Sequence, residues 1–181
     1  EFQEPSNFVY AALDFNPLTP GSPSQLVAIN LASCAATVCA AALIGTTGVG
    51  EIGGLAFDSA GNLYGVTAGT ISGGNLVTLN RTTGAATLVN PTGFTDVSGL
   101  EFAPDGQTLY GILGSAESVG GLGMPGDLVT IDPFTGQGRV VDAGGLFANP
   151  TAPSGISFRP RRNETPDAAT GLGNQPQIFV E

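Results

Sequence analysis

The chain has 181 residues, 15 acidic and 5 basic side chains, and a net charge of −10; it contains no histidine and no tryptophan, and every basic residue is arginine. This is one ordinary domain with enough apolar content, 41%, to bury a core. Its acidity argues against nucleic acid or an anionic membrane surface as partner, because those need a basic face that displaces counterions. Missing histidine and lysine remove the usual general bases and amine nucleophiles.

Charged residues make up only 11%, while 28 glycines and 13 prolines forecast many tight turns. The longest apolar run, ATVCAAALIG at 36–45, falls short of the roughly 20 residues that span a bilayer, so no membrane insertion is expected. The opening EFQEPSN lacks a signal-peptide pattern and suits a mature end after cleavage.

The first predicted strand is FVYAAL (8–13), followed by QLVAIN (25–30) and VCAAALIG (38–45). Between the last two lies SCAATVCA, holding the only cysteines, Cys34 and Cys39. A metal site would need two further ligands and finds neither histidine nor another cysteine. The pair reads as a small disulfide tying an enlarged hairpin end, with free buried thiols as the alternative. A disulfide implies an oxidising compartment.

From residue 53 the chain begins to repeat. GGLAFDSAGNLYGVT (53–67) is echoed by SGLEFAPDGQTLYGIL (98–113) and by a shortened SGISFRP (154–160). Each copy opens with a small-Gly-apolar-x-Phe strand. In the first two an Asp- and Gly-containing turn follows, then a Leu-Tyr-Gly strand. A third strand, NLVTLN (75–80) or DLVTID (127–132), leads through TTG (82–84) or FTG (134–136) into a fourth, AATLVN (85–90) or GRVVDA (138–143). Four short antiparallel strands per unit, at a period of about 45–55 residues, match a β-propeller blade. The glycine strand is expected innermost, where backbones crowd, and its Phe between blades.

The phrases LVTLNRTTGAATLVNPTG (76–93) and VSGLEFAPDGQTLYGI (97–112) resemble secreted bacterial propeller-repeat proteins, many of which carry a carboxy-terminal sorting signal of the PEP-CTERM kind. The resemblance covers residues 8–160. It implies the fold and an extracellular or cell-surface setting, and supplies no catalytic motif; no sorting signal is present in these residues.

The predicted fold is therefore all-β: three four-stranded propeller-type blades at about 7–47, 53–93 and 98–146, and an incomplete one. With strands lettered a to d, the chain reads b-c-d, a-b-c-d, a-b-c-d, a. The spare strand at 154–158 (Ser154, Gly155, Ile156, Phe158) is expected to close the first unit, which lacks its own a strand. Residues 159–176 read as a linker, making 159–181 a linker plus an exchangeable strand. That strand, QIFVE, contains Gln177, Ile178, Phe179 and Val180, and resembles a b strand, which would make it the b partner of the spare strand at 154–158. Three blades are too few for a ring of roughly four to eight. Three readings follow: a fragment of a longer propeller, two chains closing a six-blade ring, or head-to-tail strand exchange giving a filament.

Candidate chemistry is sparse. Glu101 with Asp105, and Asp127 with Asp132, are conceivable carboxylate pairs, but their recurrence with the repeat favours turn and surface acids. GVGEIGG (48–54) and GGLGMPG (120–126) lead into no helix and lack a P-loop lysine. Calcium is a minor candidate at Asp58-x-x-Gly61-Asn62 and Asp132-x-x-x-Gly136, with no other cofactor expected. Asn80 and Asn163 head N-x-[ST] sequons. The long loop at 114–127 is the best place for a contact on one rim. The leading expectation is a self-assembling extracellular structural or matrix protein without catalysis. The alternative is a secreted binding module whose rim loops hold a glycan, a protein or calcium.

Overall fold

The structure, a computed structural model, describes residues 7–13, 22–35, 38–68, 74–114, 125–142, 156–158 and 178–180. Among them there is no helix. The first sheet has three strands in the order β1 (Phe8–Leu13), β2 (Gln25–Ala35), β3 (Val38–Thr46). The second has four: β4 (Ile52–Phe57), β5 (Leu63–Thr67), β6 (Asn75–Leu79), β7 (Ala86–Pro91). The third repeats it with β8 (Val97–Phe102), β9 (Leu109–Leu113), β10 (Leu128–Ile131) and β11 (Gly138–Asp142). A last pair joins β12 (Ile156–Phe158) to β13 (Ile178–Val180). Every pairing is antiparallel between neighbours, the up-and-down order of propeller blades.

Turn chemistry places the strands. In the second sheet Asp58 Oδ1 accepts from Ala60 N at 2.9 Å and Asn62 N at 2.8 Å, and Gly61 takes a φ of 83°. In the third sheet Asp105 and Gly106 (φ 67°) do the same work, with Asp105 Oδ1 accepting from Gln107 N and Thr108 N.

The register repeats with its irregularities. Tyr10, Tyr64 and Tyr110 stand opposite Ala28, Thr78 and Thr130 on the adjoining strands. A bulge breaks the third-to-fourth-strand ladder at Leu26/Val27, Leu76/Val77 and Leu128/Val129. Another breaks the first-to-second-strand ladder at Ile52/Gly54 and Val97/Gly99. Bulges add local twist, and a blade must twist to fan out from its neighbours.

Period-2 alternation then sorts side chains between two seams, not between core and water. Val77 faces a cluster with Leu26, Ile52, Phe57, Leu63 and Leu79, between the first and second sheets. Its neighbour Leu76 faces the opposite cluster, with Val66, Val97, Phe102, Leu109 and Val129, between the second and third. Leu128 turns to a third cluster with Ile112 and Ile156. The third strand of a blade is thus buried on both faces. Each such side chain contributes about 1.5–3 kcal/mol on leaving water.

The first strands stack closely. A Cβ on Gly54 would lie 2.8 Å from the Leu100 backbone nitrogen, so glycine there lets β4 meet β8. Aromatic pairs mark successive seams: Tyr10 edge-on to Phe57 at 5.5 Å, and Tyr64 edge-on to Phe102 at 5.3 Å.

Two departures from the sequence reading stand out. Strand β2 runs on to Ala35 instead of turning at Asn30, because Ala35 pairs with Val38 in a lengthened hairpin. The strand expected to close the first sheet is not placed there; it takes 178–180 as the b partner that QIFVE offered, with Ile156 opposite Val180, Ser157 opposite Phe179 and Phe158 opposite Ile178. In register, β13 stands beside β12 where the second strand of a blade stands beside the first. Ser154, Gly155 and Gln177 lie outside the described residues.

Candidate functional site

The seams between the first and second sheets and between the second and third each have a built-in docking contact. The turn before β7 settles on the last strand of the first sheet. Gly84 has a φ of 80°, and a Cβ there would come within 2.6 Å of Gly45 O. One blade further on, Gly136 (φ 74°) rests on Asn90 in the same way. Gly45 and Asn90 occupy the same register, opposite Leu26 and Leu76. A hydrogen bond crosses each seam beside the glycine: Ala86 N donates to Thr47 O and Gly138 N to Thr92 O, both at 2.9 Å.

The turns themselves are pinned by an Asn or Asp at the same place. Asn80 Oδ1 accepts from Thr82 N and Thr83 N, and Asp132 Oδ1 from Phe134 N and Thr135 N. In the first sheet Asn30 Oδ1 takes only Ala32 N before the hairpin extends outward. There Cys34 and Cys39 form a disulfide, with Cα atoms 4.0 Å apart. Leu31 and Val38 beside it are exposed, Val38 at 70%.

Among the described residues, β1 has a sheet neighbour on one side only, β2. In the finished sheets the equivalent strands β5 and β9 carry β4 and β8 on that other side, with Leu55 opposite Gly65 and Leu100 opposite Gly111. Ala11 holds that position in β1. At the far end β12 packs against β8 as β8 packs against β4, placing Ile156 with Ile112 and Leu128. It carries β13 and, among the described residues, no third or fourth strand. Among the described residues, then, the first sheet has no inner strand and the β12–β13 pair has no outer strands.

Of the acids named as catalytic or calcium-binding candidates, Asp58, Asp105 and Asp132 are engaged in turns, while Glu101 lies within β8 opposite Tyr110 and Asp127 is buried just before β10. Asp58 spends both carboxylate oxygens on its loop, Oδ2 accepting from Asn62 Nδ2 at 2.7 Å. Hydrogen bonds from the backbone of Thr108 and then Gln107 hold the Asp105 carboxyl below the usual aspartate range; Thr135 and then Phe134 do so for Asp132. Asp127 and Asp132 stand at opposite ends of β10 and do not meet. Among the described residues no cluster of three or more His, Cys, Asp or Glu is placed to hold a metal, and no helix is long and apolar enough to cross a membrane. Asn80 is exposed, in a turn its own side chain caps. Asn163 and the middle of the 114–127 loop fall outside the described residues.

The seam contact was missed from sequence. TTG and FTG read only as turns, although their recurrence at one register was the available signal.

No protein-family model matches the chain, and no curated protein matches it in sequence. Among solved structures, a chain in the crystal structure of a nidogen–laminin complex matches with a TM-score of 0.50 and 18% identity, over 75% of this chain and 46% of that one. A chain in the structure of YCF48 bound to D1 peptide matches with a TM-score of 0.37 and 15% identity, over 71% of this chain and 41% of that one. The chain spans less than half the length of either. The first likeness agrees with the sheets in showing a propeller-type fold.

Proposed function

We propose that the protein is an extracellular structural module that binds polypeptide, foremost further copies of itself, by strand complementation at its unfinished sheets, and that it catalyses no reaction. The observation carrying this is the three-stranded first sheet: among the described residues no strand lies on its inner edge, where both four-stranded sheets hold a Gly-apolar-x-Phe strand, and β12 is a strand of that type. Such a contact is heterologous and propagates head to tail, giving a filament unless the rotation closes. Counting the three described blades alone, two copies joined at both ends would make a ring of six. The disulfide fits an oxidising compartment. The likeness to secreted bacterial propeller repeats of the PEP-CTERM kind fits the same setting. The structure of nidogen with laminin is itself a protein–protein complex, consistent with a propeller used to hold protein.

The test is light scattering and negative-stain microscopy of the purified protein. Growth in size with concentration is expected, and removal of residues 154–181 is expected to abolish it. A monodisperse monomer at every concentration would overturn the proposal.

A further inference from the structure

We propose that β13 is a placeholder: it occupies, within the chain, the position that β1 of a second copy takes on assembly, and it must leave for the two copies to join. This rests on the strand-complementation reading above and says which strand is donor and which is displaced.

The register identifies the two competitors. On β5 and β9, Leu63, Tyr64 and Gly65, then Leu109, Tyr110 and Gly111, face Phe57, Ala56 and Leu55, then Phe102, Glu101 and Leu100. By its pairing with β2, β1 offers Val9, Tyr10 and Ala11 at those places. On β12 they are filled by Ile178, Phe179 and Val180. Both segments present apolar, aromatic, then apolar residues, and β12 can hold only one of them.

The contest is uneven. β13 pairs over three residues and, among the described residues, has no second neighbour in its sheet. A two-stranded sheet is marginal alone. β1 is six residues long and backed by β2 and β3.

Exchange would also complete the seams. β12 already lies on β8 as β8 lies on β4, so a second copy's first sheet would enter the arc as the next blade. Its hairpin at 30–39 would come down on β11 near Asp142. That residue is opposite Leu128, the register place at which Gly45 receives Gly84 and Asn90 receives Gly136. One movement would fill three places that no described residue occupies: the second edge of β1, the outer side of β11 and the outer strands beside β12.

Sedimentation equilibrium on the full chain and two variants tests this. Deleting 178–181 is expected to tighten association about tenfold, since the competent state no longer has to be released from the placeholder. Oxidised Ile156→Cys/Val180→Cys, which ties β12 to β13, is expected to remain monomeric at concentrations where wild type associates. An Ala11→Cys/Ile156→Cys chain should instead cross-link between copies. If wild type associates and the deletion weakens or leaves unchanged that association, the placeholder role is overturned while strand complementation stands. If neither wild type nor any variant associates, complementation itself fails and the placeholder with it.

Discussion

Asp132 and Asn80 do the same job in successive blades, and only one of them titrates. Each side-chain oxygen takes two backbone N–H groups of its turn. In Asp132 those bonds, from Thr135 first and Phe134 second, favour the charged form and lower its pKa, and Asp105 is lowered by Thr108 and Gln107. A lowered folded pKa contributes stability above the unfolded value, 3.8 for an ordinary aspartate, and loses it as pH falls through the folded value. Thermal stability is therefore expected to drop on acidification below about pH 4. Asp132→Asn should keep the turn, as Asn80 does, and make that acid loss shallower; melting curves across pH check it. Tyr64 has the opposite sense. Burial first, and Asp58 second, raise its pKa, so its contribution holds below 10.0 and fades in stronger alkali. Gly84→Ala meets two obstacles, a φ of 80° and Gly45 O at 2.6 Å from the added carbon. A loss of about 1–3 kcal/mol is expected, read from denaturant midpoints. Gly93, equally positive in φ but with open space around it, is the control and should lose less on the same change.

At the scale of the element, the four-strand unit was legible because its signals agree. Leu-Tyr-Gly alternation, an Asp-Gly turn and the LVT strand recur at fixed spacing, and each local preference points to one hairpin ladder. Two things were not legible. Which seam Leu76 or Val77 enters depends on the twist of the whole sheet, and a two-residue period cannot say whether the far side is water or another blade. The extension of β2 past Asn30 was hidden because Leu31–Ala35 is apolar and turn-like at once, and the pairing that reveals it, Ala35 with Val38, lies beyond a break in the register. The Cys34–Cys39 disulfide sits at an exposed tip and closes a short loop, so its loss should cost the folded chain no more than about 2 kcal/mol. In an assembled form the same hairpin would lie over β11. Reduction is then expected to weaken association more than it lowers the melting temperature, a comparison that scattering and calorimetry on one sample can make.

For the whole molecule, the proposed assembly has either a closed or an open form, and poisoning growth separates the two. With the three described blades and the one composite joint proposed per copy, a blade number within the usual range of about four to eight is reached as two copies, giving six. If the rise along the arc is not zero, the same joint yields a filament. Ala11→Arg places a long charged side chain where the finished sheets have Gly65 and Gly111, sites already crowded by Leu79, Val77 and Leu55 or by Val97 and Val129. This chain should still donate β12 but no longer accept it. Added in small amounts to wild type, it would cap one end of every filament, and mean length should fall steeply with its mole fraction. In a two-copy ring it would only open one of two joints, so the particle would keep its mass and lose stability. Sedimentation of the mixtures separates the two, and an unchanged distribution at every ratio would show that the edge of β1 is not the joint. Circular dichroism of the variant alone guards against the remaining outcome: an unaltered β spectrum ties any change in size to the edge and not to unfolding.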